Sequence, residues 1–203
     1  MRAKISVISI IILLLLACQR QSNQTNSNIS NTSTQSNSPI QTPQIIKFES
    51  ADKVEIIGTF YESPKANSPA VLLLHQWQST RKSYEILAKQ LQKQGFGVLA
   101  IDGRGFGESV KTADGKTVSS SRNDEAVKAM KIDVDTAFNF LSKQNNVDAA
   151  RVGIVGASYG SSLALIYAAE NKQVKAVALL SPGINYFGNL PTEPAAKTFG
   201  NRP

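Results

Sequence analysis

Apolar residues fall along the chain in runs whose spacing alternates between that of a buried strand and that of a helix. Residues 45–50 and 54–61 are rich in β-branched and aromatic side chains. Ala51-Asp52-Lys53 lies between them, which predicts a hairpin with a short loop. Val71, Leu72, Leu73 and Leu74 form a continuous apolar run of strand length, as suits a strand buried on both faces. Tyr84, Leu87, Ala88 and Leu91 then recur at helical spacing, with Gly95 where a C-terminal cap belongs. Residues 98–101 read as the next buried strand. Val127, Met130, Val134, Ala137, Phe138 and Leu141 make a second helical stripe. Residues 152–155 read as a strand, 159–170 as a helix and 174–180 as a strand again. This alternation predicts an α/β fold: a mostly parallel sheet with an antiparallel N-terminal hairpin at its edge and helices on both faces.

The start of the chain follows a different pattern. Arg2 and Lys4 precede an almost wholly apolar stretch over residues 5–16. A bilayer span needs about 20 apolar residues, so this stretch has the length of a signal-peptide core instead. Leu15-Leu16-Ala17-Cys18 resembles a bacterial lipobox. The resemblance implies cleavage before Cys18 and a lipid thioether on its sulfur, hence an exported, membrane-anchored lipoprotein of the bacterial cell envelope. The plainer alternative is an ordinary secretory signal with a chance cysteine. Residues 19–44 are built from Gln, Asn, Ser and Thr, with Pro39 and Pro43 and a single charge at Arg20. Such a composition buries too little apolar surface to offset its ordering entropy and predicts a flexible tether. The expected organisation is a signal peptide over 1–17, a lipidated Cys18 and tether over 18–44, and a folded domain over 45–203.

Composition narrows the function. The formal charge is +7, but Arg2 and Lys4 belong to the segment expected to be removed. The remaining cations, Lys82, Lys89, Lys93, Lys128 and Lys143 among them, are scattered over polar helix faces rather than gathered into a stripe, which argues against a nucleic-acid partner. One cysteine excludes an internal disulfide framework and a cysteine-rich metal site. No cofactor motif accompanies the folded part, so neither a metal nor a cofactor is expected.

Gly156-Ala157-Ser158-Tyr159-Gly160 fits G-x-S-x-G. The pattern alone is weak, but here it directly follows a buried strand and opens a helix, the strand-to-helix elbow that the motif requires. Gly156 and Gly160 supply the missing bulk that so tight a turn demands. Ser158 would stand above the sheet, with the helix N-terminus directed at a developing oxyanion. The bland alternative is a glycine-rich turn with an idle serine. His75-Gln76-Trp77 follows the first buried strand, and Asp102-Gly103-Arg104-Gly105-Phe106-Gly107-Glu108-Ser109 follows the next. The second segment lacks the spacing and the helix of a dinucleotide fingerprint.

Together these motifs resemble the α/β-hydrolase superfamily over residues 48–203, nearest to dienelactone-hydrolase-like or serine-aminopeptidase-like members. The resemblance implies a nucleophilic Ser158 and oxyanion donors in the backbone N–H groups of Trp77 and Tyr159. Gln76 departs from the glycine usual at its position. His75 is expected to be a packed, hydrogen-bonded residue rather than a base, and Asp102 and Arg104 to form a local ion pair with a structural role. The implied activity is hydrolysis of a small-molecule ester or amide through an acyl-enzyme, with water as the final acceptor. In this family the acid and base follow the nucleophile, yet no histidine follows Ser158. The last strands of the fold, with the triad acid and histidine, are therefore expected to be missing, leaving a sheet edge uncovered. A non-catalytic or vestigial lipid-anchored binding module is the alternative.

Overall fold

The computed structural model of the protein describes residues 39–200. The apolar stretch over 5–16, Cys18 and the tether up to residue 38 lie outside the described residues. Six strands form the main sheet: β1 (Gln44–Glu49), β2 (Glu55–Tyr61), β3 (Ser68–Leu74), β4 (Gly97–Ile101), β5 (Val147–Ala157) and β6 (Val174–Leu180). Their order is β1-β2-β4-β3-β5-β6. β1 and β2 form the expected antiparallel hairpin, and β2 joins β4 antiparallel. β4, β3, β5 and β6 then run parallel. The described part reaches slightly further back than expected, since the Gln41 carbonyl accepts from Gln92 Nε2 at 2.9 Å and β1 opens at Gln44.

The helices are α1 (Glu85–Lys93), entered through a 3-10 turn at Arg81–Tyr84, then α2 (Asp124–Ser142), α3 (Tyr159–Glu170) and α4 (Glu193–Gly200). A two-stranded hairpin, β7 (Asn185–Tyr186) with β8 (Leu190–Pro191), lies between β6 and α4. Local chemistry sets the helix ends. Asn123 caps α2, its side chain accepting from the Ala126 amide at 2.8 Å, and Asp124 and Glu125 complement the positive helix end. After α1, Gly95 takes φ +92°, with Phe96 N bonded to Leu91 O and Gly95 N to Gln92 O, a Schellman stop.

The pleat of the strands divides the interior. Leu72 and Leu74 of β3, Leu99 and Ile101 of β4, and Ile154 of β5 pack with Val127, Met130, Val134 and Phe138 of α2 and with α3. Leu73, Val98 and Ala100 point the other way, onto Tyr84, Ala88 and Leu91. Helices thus cover both faces, each drawing on alternate residues of the same strands. Full burial of such a leucine stabilises by about 1.5–3 kcal/mol. The layering brings the ends of β3, β4 and β5 together at one edge of the parallel sheet, where the motifs gather.

Candidate active site

Ser158 joins β5 to α3 with φ +50° and ψ −117°. A serine rarely takes this conformation, which costs on the order of 1–3 kcal/mol and persists only where the surroundings enforce it. Here the Ser158 amide donates to Leu180 O at the end of β6 at 2.7 Å. Ser161 Oγ ties the turn below by donating to Gly156 O at 2.7 Å and Leu180 O at 2.9 Å. A Cβ on Gly156 would stand 2.2 Å from the Gly160 carbonyl oxygen, so the turn closes only without one. Gly160 packs equally tightly against the end of β3. The Ser158 side chain remains partly exposed, above buried neighbours.

Trp77 reaches the same place from β3. Its ring stands edge-on to those of Phe106, Tyr159 and Phe187, with centroids 4.9, 5.1 and 4.8 Å away. Among the described residues, neither the Trp77 nor the Tyr159 amide donates to a protein acceptor. The Gln76 side chain is exposed.

His75 is buried and shares both ring nitrogens with backbone. The Gly103 amide donates to Nε2 at 3.1 Å, so Nδ1 carries the hydrogen and donates to Gln76 O at 2.7 Å. Burial lowers its pKa and favours the neutral ring that this arrangement needs. His75 thus fastens the loop after β3 to the loop after β4, as a packed, hydrogen-bonded residue.

The expected pairing of Asp102 with Arg104 does not occur. Asp102 continues the side of β4 that faces the 3-10 turn. There it binds the Arg81 guanidinium, accepts from the Arg81 amide at 2.7 Å and accepts from the Glu108 amide at 2.9 Å. Arg104 turns to the opposite face and binds Asp133 of α2 at 2.8 Å and Asp52 of the hairpin loop. β4 ends at Ile101, and Arg104 sits in the turn beyond it, which carries its side chain away from that of Asp102. Gly107 is required by this scheme, because a Cβ there would meet Asp102 Oδ2 at 2.2 Å. The Arg104 hydrogen bond holds Asp52 down at about 2. Asp133 goes up to about 6, because its burial outweighs the attraction of Arg104. Asp133 also borders an apolar cavity of about 30 Å³ beneath His75 and Tyr159, room for one water.

The β7–β8 hairpin covers the elbow from outside. Tyr186 Oη is hydrogen-bonded to Ser158 Oγ, while Phe187 packs on Trp77 and Tyr159. Arg122 stacks on Phe187 at 4.9 Å and on Trp77 at 5.7 Å. Sequence reasoning did not single out Tyr186, Phe187, Arg122 or Arg81. The only local signal was an aromatic pair between Gly183 and Gly188. Among the described residues no group of three or more His, Cys, Asp or Glu side chains is placed to hold a metal ion.

A strained serine between a parallel strand and a buried helix, at the end of a mixed sheet of this order, defines an α/β hydrolase. Within that class the chain belongs to the serine aminopeptidase, S33, family, whose profile matches residues 65–201. It is 25% identical to the thiohydrolase aneE of Aspergillus aculeatus over 138 residues, which is 68% of this chain and 41% of that protein. Over 144 residues it is 26% identical to the AB hydrolase superfamily protein YisY of Bacillus subtilis, covering 70% of this chain and 48% of that one. The chain therefore spans less than half the length of these relatives. Among solved structures, the α/β hydrolase GrgF from Penicillium aligns with TM-score 0.62 and 21% identity over 73% of this chain and 49% of its own. The Pyrococcus furiosus esterase Pf2001 aligns with TM-score 0.58 and 22% identity, over 70% and 53% respectively. Both share the fold.

Proposed function

We propose that this chain carries the nucleophile half of a hydrolase that cleaves carboxylic ester or amide bonds through an acyl-enzyme on Ser158. The observation that carries this reading is the backbone of Ser158, held at φ +50° between β5 and α3. A turn with an idle serine has no need of such strain. The backbone N–H groups of Trp77 and Tyr159 serve as oxyanion donors, and water is the final acceptor of the acyl group. The thiohydrolase name of one relative agrees with acyl chemistry. On this reading the acid and base come from outside the present segment, which spans less than half the length of the relatives it matches. The part that supplies them would lie along β6, which among the described residues pairs only with β5. It would also cover the half-buried Val71, Val155 and Ala157 on the α1 face of the sheet. Cys18 is the site of lipid attachment and holds the enzyme at the bacterial cell envelope.

The test is labelling of the complete protein with a fluorophosphonate. Ser158 takes the label, and Ser158→Ala loses both label and hydrolysis of short-chain esters. Hydrolysis retained by Ser158→Ala refutes the assignment.

One observation favours the alternative of a non-catalytic binding module: the single histidine is bonded to Gln76 and Gly103, not to Ser158. Without a base, a serine hydrolase loses several powers of ten in rate. Residues 19–203 alone are therefore expected to be inactive on either reading. The alternative prevails if the complete protein also takes no label and cleaves no ester. Activity in residues 19–203 that His75→Ala abolishes would overturn the absence of a base from this segment.

A further inference from the structure

The hydroxyl of Tyr186 is hydrogen-bonded to the oxygen that would react, Ser158 Oγ. Its neighbours fix that position from several sides. A Cβ on Gly183 would meet Tyr186 ring carbons at 2.5 and 2.6 Å, so the absence of a side chain at Gly183 makes the seat for the ring. Tyr159 stands perpendicular to the same ring, with centroids 6.3 Å apart. The hairpin carrying it is tied internally, by Thr192 Oγ1 to Gly183 O at 2.7 Å and Leu190 N to Asn185 Oδ1 at 2.9 Å. It is tied to the start of α2 through Asn189 Nδ2, which donates to Arg122 O at 3.0 Å and Asp124 Oδ1 at 2.9 Å. Its tip is pinned by Phe187, held at φ +56° with its ring on Trp77.

We propose that Tyr186 is a catalytic residue of the Ser158 site, donating its hydroxyl hydrogen to Ser158 Oγ and stabilising the charge on that oxygen as the acyl group departs. The proposal rests on Ser158 being the nucleophile. A phenol is a stronger acid than an aliphatic alcohol, so Tyr186 is the donor and the serine hydrogen stays free for the base. In deacylation, water gives a proton to the base and adds to the acyl carbon. The carbon–Oγ bond then breaks, its electron pair passes to Oγ, and the base returns the proton there. Tyr186 keeps its own hydrogen throughout. An ester oxygen is a weak acceptor and a departing alkoxide a strong one, so the hydrogen bond tightens between the acyl-enzyme and its transition state. In acylation Oγ starts as a hydroxyl, already a good acceptor, and the bond gains less. The benefit therefore falls on the second half-reaction.

The test is stopped-flow hydrolysis of 4-nitrophenyl acetate by the complete protein, with acylation and deacylation rates measured separately. Tyr186→Phe keeps the ring and removes the donor. Deacylation is expected to fall about 10- to 100-fold and acylation by less than about threefold, so that acyl-enzyme accumulates as a burst near one per site. Gly183→Ala, which displaces the ring, should give the same signature and add nothing in the Tyr186→Phe background. Unchanged deacylation, a rise in activity, or an equal fall in both steps overturns the proposal. Ser158→Ala separates the two claims: activity surviving it defeats the nucleophile itself. A wild-type-like Tyr186→Phe beside a dead Ser158→Ala defeats Tyr186 alone.

Discussion

Gly160 lies against the Leu74 carbonyl so closely that a methyl group in its place would stand 2.4 Å from that oxygen, and 2.6 Å from the His75 oxygen. The first turn of α3 thus rests directly on the end of β3, and one atom of bulk would part them.

Gly160→Ala is accordingly expected to destabilise the fold by about 2–4 kcal/mol, because the obstructing atoms are backbone and cannot rotate away. Urea unfolding reads the loss. Gly200→Ala is the control: nothing lies within 4 Å of its added carbon, and its stability should hold or rise slightly.

Asp102 is fully buried and Arg81 nearly so, with side-chain exposures of 0% and 2%. Asp102→Asn leaves the guanidinium inside with only the half-exposed Glu108 as a carboxylate partner. A loss of about 3–5 kcal/mol is expected, the cost typical of stranding one member of a buried pair. Adding Arg81→Met should cost much less than it does alone. A double-mutant cycle by chemical unfolding measures that coupling, and strict additivity would refute it.

His75 binds a proton less readily in the folded protein than in the unfolded chain, because it is buried and because Nε2 must accept from Gly103. Its folded pKa therefore lies below the ordinary 6.5. The unfolded chain takes up the proton first as pH falls. The contribution of His75 to stability is thus present above pH 6.5 and is lost as pH drops through the folded value. The imidazole resonance of His75, identified by its loss in His75→Gln, reports the titration by NMR. A midpoint at or above 6.5 contradicts the assignment.

The proposed lipid attachment at Cys18 has its own readout. Cells fed radiolabelled palmitate should label the wild-type protein, and Cys18→Ala should abolish the label and release the protein from membranes. Two or more acyl chains give stable anchoring, whereas one is marginal. Label that persists in Cys18→Ala contradicts the site.

The buried strands and the elbow were legible in the sequence because their signals are local. Residues 98–101 are apolar throughout, preceded by Gly97 and followed by Asp102-Gly103. Gly156, Ser158 and Gly160 sit where a strand pattern gives way to a helical one. The ion pairs were not legible in that way. Asp102 and Arg104 are near neighbours in sequence, but the turn after β4 sends them to opposite faces, and their partners Arg81, Asp52 and Asp133 belong to separate elements. Nor did the sequence reveal Tyr186, since its place on Ser158 depends on how a short hairpin folds back over another turn.

The strand order also bears on the timing of folding during synthesis. β3 lies between β4 and β5, so Leu72 meets Leu99 on one side and, much later in the chain, Ile154 on the other. A ribosome releasing residues in sequence presents β3 long before its second partner exists. Until then, one backbone edge of this apolar strand waits unpaired. Ser158 reaches its enforced conformation later still, because its amide needs Leu180 O. Slowing translation just after β4 should therefore prolong exposure of that edge to chaperones and proteases, whereas a pause after residue 180 should have far less effect.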